Sequence, residues 1–224
     1  MVCMSTVSKE NYLKAIFNYN VNIGESATTK KIAEELSVSN AAITDMAKKL
    51  SEEGLISYEK YKGMELTTEG EKIALNVVRR HRLWELFLVK VLGLNWNEVH
   101  EEAEKLEHQT SEFLIDRIDE FLGYPEFDPH GHPIPSKNGT LPKTPKIIPL
   151  YEAEKGSTYE FVRVNDRDSE LINYLMKVGL LLNTEMFIED KLKFDESTMV
   201  TYNGKTISLS KKIAESIYVK LLKK

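Results

Sequence analysis

The chain has 224 residues, of which 42% are hydrophobic and 29% charged, with a formal net charge of −5 at pH 7. That length supports a sizeable core and more than one domain, and the mildly negative charge excludes a protein that holds nucleic acid by bulk charge, though not one that uses a local patch. The single Cys3 excludes an intrachain disulfide and a thiolate cluster, no apolar run approaches roughly 18 residues, and residues 1–6 lack the pattern of a signal peptide, so a cytoplasmic protein with no membrane partner is expected.

The N-terminal part reads as helices. Ser8 to Tyr19 carries Tyr12, Ile16 and Tyr19 at helical spacing, and Thr28 caps a short helix from Thr29 to Leu36. A turn at residues 37–40 follows, and Asn40 is expected to cap a second helix whose inner face is Ala42, Ile43, Met46 and Leu50, ending at Gly54. Leu55 to Lys60 reads as a strand, residues 61–63 as a turn, and Met64 to Thr67 as the returning strand.

Helix, tight turn, helix and two-stranded wing is the order of a winged helix-turn-helix, in which the second helix presents its first residues to base edges in the major groove. Here those are Ser39, Asn40, Ala41, Thr44 and Asp45, with Lys48, Lys49, Lys60 and Lys62 placed to reach phosphates. The same pattern serves protein-interaction modules, and Asp45, Glu52, Glu53 and Glu59 weaken the electrostatic case for DNA.

Glu69 to Leu92 is predicted to be one long helix, and its stretch from Leu83 to Leu92 is apolar nearly all round. Such a helix is buried on more than one side, most simply at a subunit interface. Further helices are expected over Asn97 to Glu107 and Ser111 to Leu122.

All five histidines fall between positions 81 and 132, interleaved with carboxylates. His100, Glu104, Glu107 and His108 sit at i, i+4, i+7 and i+8, which a helix aligns in one stripe, and His81 with Glu85 forms another i, i+4 pair. Imidazole and carboxylate together suit Mn(II), Fe(II) or Zn(II). Asp128, His130 and His132 follow in a segment leading into a proline-rich stretch, and all seven prolines lie between Pro125 and Pro149. That stretch reads as an extended linker without regular structure.

The last 70 or so residues alternate as short strands at Tyr159–Val164, Glu185–Ile188, Met199–Tyr202 and Thr206–Leu209, with a helix from Ser169 to Val178 and a hairpin turn at Asn203–Gly204. They suggest a small β-barrel.

With these elements placed, the chain resembles the diphtheria toxin repressor family, which includes the manganese transport regulators. The resemblance spans nearly the whole chain. It is carried by residues 30–36 (KKIAEEL), 57–63 (SYEKYKG), 66–70 (LTTEG) and 80–83 (RHRL). Residues 99–108 (VHEEAEKLEH) match the family's V-H-x-E-A-x-x-x-E-H signature, and residues 129–135 (PHGHPIP) match its P-x-G-x-P-I-P segment.

The resemblance implies a dimeric repressor of metal-uptake genes with divalent metal as corepressor and double-stranded operator DNA as partner. It implies a winged helix-turn-helix DNA-binding domain over residues 1–70 and a helical metal-binding and dimerisation domain over 71–140. A linker over 141–150 and an SH3-like domain over 151–224 complete the arrangement. The fold class expected is therefore mainly α, with a small C-terminal SH3-like β-barrel.

Carried over residue by residue, Glu104, Glu107 and His108 match the main regulatory site. Asn11 stands where members of the family have Met or Asp, and Lys14 where a manganese-type member has Glu, which argues against a two-metal arrangement. Position 104 divides the family into an iron type with Cys and a manganese type with Glu, so Mn(II) is the expected corepressor, with Fe(II) or Zn(II) as alternatives. His81, Glu85 and His100 match an ancillary site, completed by Asp168 with Asp166 and Glu170 as rivals. Asp128 and His130 match a variant of that site in which a Cys-x-His segment contributes, with Asp in place of Cys. His132 has no role in the resemblance and defaults to a surface residue, while Met4 and Met64 read as packing residues.

Two readings of another class stand beside this one. One is a metal-dependent hydrolase, for which Glu101 or Glu102 would serve as base. The other is a DNA-binding regulator with an organic effector, in which the His/Glu stripe is only structural.

Overall fold

A computed structural model describes residues 6–24, 26–59, 63–166 and 168–223. The described chain resolves into two units. The first comprises Met1–His81, Glu104–Ile118 and Pro135–Leu141; the second comprises Arg82–Ala103, Asp119–Ile134 and Pro142–Lys224. Cys3, Met4, Lys60 and Lys62 lie outside the described residues.

In the first unit, α1 (Thr6–Phe17) runs on into a π-helical turn, Asn18–Ile23, and is followed by α2 (Thr29–Glu35) and α3 (Asn40–Glu52). Thr28 caps α2 as its sequence predicts, its hydroxyl accepting from the Lys31 amide at 3.4 Å. For α3 the cap is Ser39 and not Asn40, because the Ser39 hydroxyl accepts from the Ala42 amide at 3.2 Å and Asn40 is already the first helical residue. A cap of this kind contributes about 1 kcal/mol. Strands β1 (Ile56–Glu59) and β2 (Gly63–Leu66) pair antiparallel, with Ile56 opposite Leu66 and Glu59 opposite Gly63.

The helices pack around Leu13, Ile16, Phe17, Ile32, Ile43 and Leu50, all essentially without exposure, and Met64 joins them from the wing. Tyr12 adds a polar tie, its buried hydroxyl donating to the Ile43 carbonyl at 2.5 Å. Helices α4 (Thr68–Lys90), α5 (Val99–Glu107) and α6 (Glu112–Phe121) complete the helical set, each close to its predicted span.

The second unit holds a six-stranded antiparallel sheet in the order β3-β8-β4-β5-β6-β7. Its strands are β3 (Ile148–Pro149), β4 (Thr158–Val164), β5 (Glu185–Lys191), β6 (Thr198–Tyr202), β7 (Lys205–Leu209) and β8 (Ile217–Lys223). The hairpin between β6 and β7 turns at Asn203 and Gly204, at φ 48° and 75°, as the Asn-Gly pair requires. Helix α7 (Ser169–Val178) has its predicted span, while α8 (Lys211–Ser216) and β8 are not anticipated by the sequence reading. Phe161, Leu175, Ile188, Val200 and Val219 fill the core. The sheet is SH3-like in its strand set but is not closed by hydrogen bonds between β3 and β7 among the described residues. β3 has two residues, and the second is a proline with no amide to give.

The segment from Asp128 to Pro133 has no regular structure, yet it is not a slack linker. Asp128 Oδ1 accepts from the amides of His130 (2.8 Å) and His132 (2.9 Å), and the Asp128 amide donates to the His132 carbonyl at 3.0 Å. The loop is fixed to β4 by the Val164 amide, which donates to the His130 carbonyl at 3.0 Å. At its tip Gly131 has φ +87°, and a Cβ there would lie 2.0 Å from the Val162 carbonyl oxygen.

Along the second half of α4, Leu83, Leu86 and Leu88 are buried, whereas Trp84 and Phe87 are only half-buried. Trp84 meets Phe87 edge-on at 5.6 Å, and Phe87 meets Phe121 at 6.2 Å. Phe121 is 70% exposed and Tyr124 68%. An aromatic surface of this size seeks a partner.

Two outcomes follow from these features. Gly131→Ala is expected to destabilise the protein by at least about 1–3 kcal/mol, through both the positive φ and the backbone clash, as a fall in the denaturation midpoint would show. Chelator-treated protein is expected to sediment as a dimer at micromolar concentration, and Phe121→Glu to shift it towards monomer.

Candidate metal centres

The first unit gathers a charged cluster from α1, α4 and α5. Glu107 is fully buried. Its Oε2 is 2.6 Å from His81 Nδ1, and its Oε1 is 2.7 Å from Lys14 Nζ and 3.2 Å from His108 Nε2. Lys14 also reaches Glu104 Oε1 at 2.5 Å. On the other side of the imidazole, His108 Nδ1 is 2.6 Å from Glu10 Oε2, and Glu10 Oε1 is held by Arg80 Nη2 at 2.9 Å.

Glu10 can only accept, so His108 Nδ1 donates to it and Nε2 is turned towards Glu107, the pattern in which an outer carboxylate orients a metal-binding imidazole. Burial opposes the charge on Glu107, but His81 and Lys14 outweigh it and hold its pKa below the usual carboxylate value. Burial likewise opposes the charge on Lys14, and Glu107 and Glu104 outweigh it and raise its pKa. Both groups therefore stay ionised at neutral pH.

Glu104, Glu107 and His108 bring one ligand atom each to within 4.8 Å of one another. Asn11 lies one residue after Glu10 and three before Lys14 on α1, so helical spacing puts it on the same face. Its buried Oδ1 accepts no hydrogen bond. Two carboxylates, an imidazole and an unsatisfied amide oxygen fit a divalent ion of borderline hardness.

The second unit gathers Glu85, His100, Asp128, His130, His132 and Asp166. Glu85, His130 and Asp166 bring ligand atoms within 4.8 Å of one another. His130 is 1% exposed and stacks on Trp96 with 5.4 Å between ring centroids. Its Nε2 donates to the Trp96 carbonyl at 3.1 Å, which turns Nδ1 towards Glu85 Oε2 (3.6 Å) and Asp166 Oδ2 (3.8 Å). His100 Nδ1 is 3.2 Å from Glu85 Oε1. This donor set too fits a divalent ion, since a buried imidazole nitrogen without a hydrogen-bond partner faces two carboxylates.

The sequence-predicted site residues divide as follows. Glu104, Glu107 and His108 come together in the first unit. His81 is engaged there by Glu107, Glu85 converges with His130 and Asp166, and His100 Nδ1 lies 3.2 Å from Glu85. His130 is in that second cluster. Asp128 is not one of its convergent donors: Oδ1 shapes the loop, and Oδ2 faces His132 Nδ1 at 3.4 Å and the buried Arg82 Nε at 3.7 Å. Asp168 does not complete the cluster either. It caps α7, accepting from the Glu170 and Leu171 amides, and it is Asp166 that reaches the histidines.

Sequence reasoning gave Glu10 no role, although it lies four residues before Lys14 on one helical stripe, and it put His132 on the surface, where the structure half-buries it beside Asp166. On α3, Asn40, Ala41, Asp45, Lys48 and Lys49 are exposed, but the Ser39 hydroxyl is spent on its cap and Thr44 Oγ1 donates to the Asn40 carbonyl at 2.9 Å. Asp45 and Lys48 pair with each other at 3.8 Å.

Comparison with known proteins places these features in context. Residues 4–64 match the domain described as iron dependent repressor, N-terminal DNA binding domain. Residues 67–136 match the iron dependent repressor metal binding and dimerisation domain, and residues 148–221 the FeoA domain. The iron-dependent repressor IdeR of Mycobacterium leprae is 33% identical over 80% of this chain and 83% of its own length. The HTH-type transcriptional regulator MntR of Oceanobacillus iheyensis is 38% identical over 54% of this chain and 81% of its own. Among solved structures, a manganese-dependent transcriptional repressor complexed with manganese is 36% identical with a TM-score of 0.88, over 96% of this chain and all of that one. ScaR with bound Zn2+ is 37% identical with a TM-score of 0.82, over 96% of this chain and 99% of that one.

One pH effect follows from the second cluster. Burial alone would lower the pKa of His130, but Glu85, Asp166 and Asp128 outweigh it and push it up to about 9. A folded value above the unfolded 6.5 contributes stability that is complete below pH 6.5 and lost as pH rises through 9. Denaturant melts of chelator-treated protein from pH 6 to pH 9.5 are expected to show that decline, and His130→Gln to flatten it.

Proposed function

Because the chain belongs to the iron-dependent repressor family, the family of IdeR and the diphtheria toxin repressor, we propose that it is a manganese-responsive member whose metal site controls the placement of its DNA-reading helix. It is a metal-dependent transcriptional repressor and not an enzyme, which disposes of the hydrolase reading. The proposed partners are a second copy of the chain and double-stranded operator DNA, which places its action in the cytoplasm; no described helix is long and apolar enough to cross a membrane.

The observation that carries the manganese reading is the donor set. Glu104 and Glu107 supply carboxylate oxygens, Asn11 an amide oxygen and His108 one imidazole nitrogen, a mainly oxygen shell that suits Mn(II). Regulators named for manganese among the relatives support it. The alternatives are Fe(II) and Zn(II), and raw affinity rises from manganese towards zinc, so selectivity rests on coordination number and geometry.

When bound, the ion supplies positive charge to clustered carboxylates and a fixed set of directions for their oxygens. The rest is done by the chain. Asn11 belongs to α1, and Glu104, Glu107 and His108 to α5 and its end, so holding one ion in common fixes α1 against α5. The neighbour of Asn11, Tyr12, donates from its hydroxyl to Ile43 on α3. The position of α1 is thereby passed to the recognition helix through one buried hydrogen bond. This is a shift between pre-existing arrangements, bounded by the difference in metal affinity between them.

On the DNA side, Asn40, Ala41 and Asp45 present exposed side chains to base edges, and Lys48 and Lys49 reach phosphates. Ser39 and Thr44 act chiefly by shaping the start of α3. Lys60 and Lys62 are proposed as further phosphate contacts.

The test is operator affinity against free metal. Mn(II) is expected to activate DNA binding in the wild type. Asn11→Ala and Tyr12→Phe are each expected to weaken that activation at least tenfold while changing metal affinity by less, and Glu104→Cys to move the response towards softer ions. A wild type that answers Zn(II) but not Mn(II), or an Asn11→Ala variant that behaves as wild type, contradicts the proposal.

A further inference from the structure

We propose that His132 is a metal ligand, and that with Glu85, His100, His130 and Asp166 it forms a nitrogen-rich pocket in the second unit that takes a zinc-class ion in preference to manganese. This deepens the reading of the chain as a metal-dependent repressor and rests on it.

The first argument is geometric. Asp166 Oδ2 is ringed by three imidazole nitrogens: His132 Nδ1 at 3.6 Å, His130 Nδ1 at 3.8 Å and His100 Nδ1 at 4.0 Å. None of the three is within hydrogen-bond distance. Donors that each lie about 2.1 Å from one shared ion are themselves roughly 3–4 Å apart, and each of the three nitrogens stands at about that distance from Asp166 Oδ2.

The second argument is the state of His130. Its Nε2 is committed to the Trp96 carbonyl, and its buried Nδ1 has no hydrogen-bond partner while facing the carboxylate oxygens of Glu85 and Asp166. A buried imidazole nitrogen and carboxylate oxygens that converge from separate segments are arranged as donors to one shared cation.

The third argument is presentation. His130 and His132 come from one loop whose amides are both held by Asp128 Oδ1, with Gly131 pressed against β4 between them. The side chain of His132 is 15% exposed. The loop therefore brings two imidazoles to the same carboxylate with little freedom, a preorganised pair of donors. Asp128, already engaged with backbone amides, orients His132 at 3.4 Å and is not itself a donor.

The two centres differ in kind. The first has one imidazole among oxygens, with the Lys14 ammonium already against its carboxylates. The second has three imidazoles and two carboxylates. Imidazole-rich sites suit zinc, and the general affinity order favours zinc over manganese at such a site.

The experiment uses the full-length dimer stripped with chelator. Zn(II) affinity is measured by competition with a chromophoric chelator, and Co(II) serves as an optical probe. His132→Ala and His132→Gln are expected to lose 10- to 100-fold in the tighter class of Zn(II) sites and to weaken the visible Co(II) bands. His132→Cys, on a Cys3→Ser background, is expected to retain tight binding and to gain a near-ultraviolet sulfur-to-cobalt band, which appears only if the side chain at 132 is coordinated. Unchanged zinc affinity in both neutral variants, or no sulfur band in the cysteine variant, overturns the proposal. Mn(II)-dependent DNA retardation by the wild type is read on the same preparation. Its absence counts against the functional reading, and the zinc and cobalt results stand apart from it.

Discussion

A carboxylate with no exposed surface, Glu107, is the constraint on which the first unit depends. An ionised group in that position is costly unless several partners meet it. Lys14 comes from α1 and His81 from α4, while His108 follows Glu107 directly, so compensating one charge ties two segments distant in sequence to the end of α5. The arrangement is stable without metal because Lys14 supplies a cation of its own. Its geometry also suits a metal, because His108 turns its Nε2 inward, with its other nitrogen given to Glu10 and Glu10 in turn to Arg80.

The same logic separates carboxylates free to face the histidines from carboxylates that shape the backbone around them. Asp128, an acid in a sequence position that resembles a ligand, gives its strongest bonds to backbone amides. Asp168 does the same at the start of α7. In both cases a carboxylate near a turn is captured by local N–H groups before it can turn to a distant cluster, the general preference of Asp for caps and Asx turns. Asp166, two residues earlier and outside the reach of the α7 amides, remains for the histidines.

Much of this was legible from residue order. The stripe of Glu104, Glu107 and His108 follows from helical spacing, and the caps at Thr28 and the hairpin at Asn203–Gly204 follow from turn chemistry. Other features were not legible for stated reasons. Ser39 and Asn40 are both good caps, and only the hydroxyl geometry decides between them. Glu10 looks like any exposed acid on an amphipathic helix until its partner, 98 positions away, is in place. His132 reads as a surface residue because its partners Asp128 and Asp166 come to it through tertiary folding of a loop without periodicity. The strand β8 was hidden because Lys220, Lys223 and the doublet Leu221–Leu222 blur its alternation, which shows cleanly only at Ile217 and Val219.

That strand has a consequence for the order in which the protein forms. β8 pairs with β3 on one side and β4 on the other, joining Ile148 to Val219 across some 70 intervening residues. A contact of such sequence separation carries a large closure entropy and is intrinsically slow. During synthesis, a chain that has emerged only to residue 216 has β5, β6 and β7 ready to pair, but β4 lacks its neighbour on the β8 side. Asp166, just beyond β4, and the loop of His130 that the strand pins then hang from an unfinished edge. The second cluster is therefore completed late in the life of each chain, and a nascent repressor can acquire its winged helix well before that cluster is built.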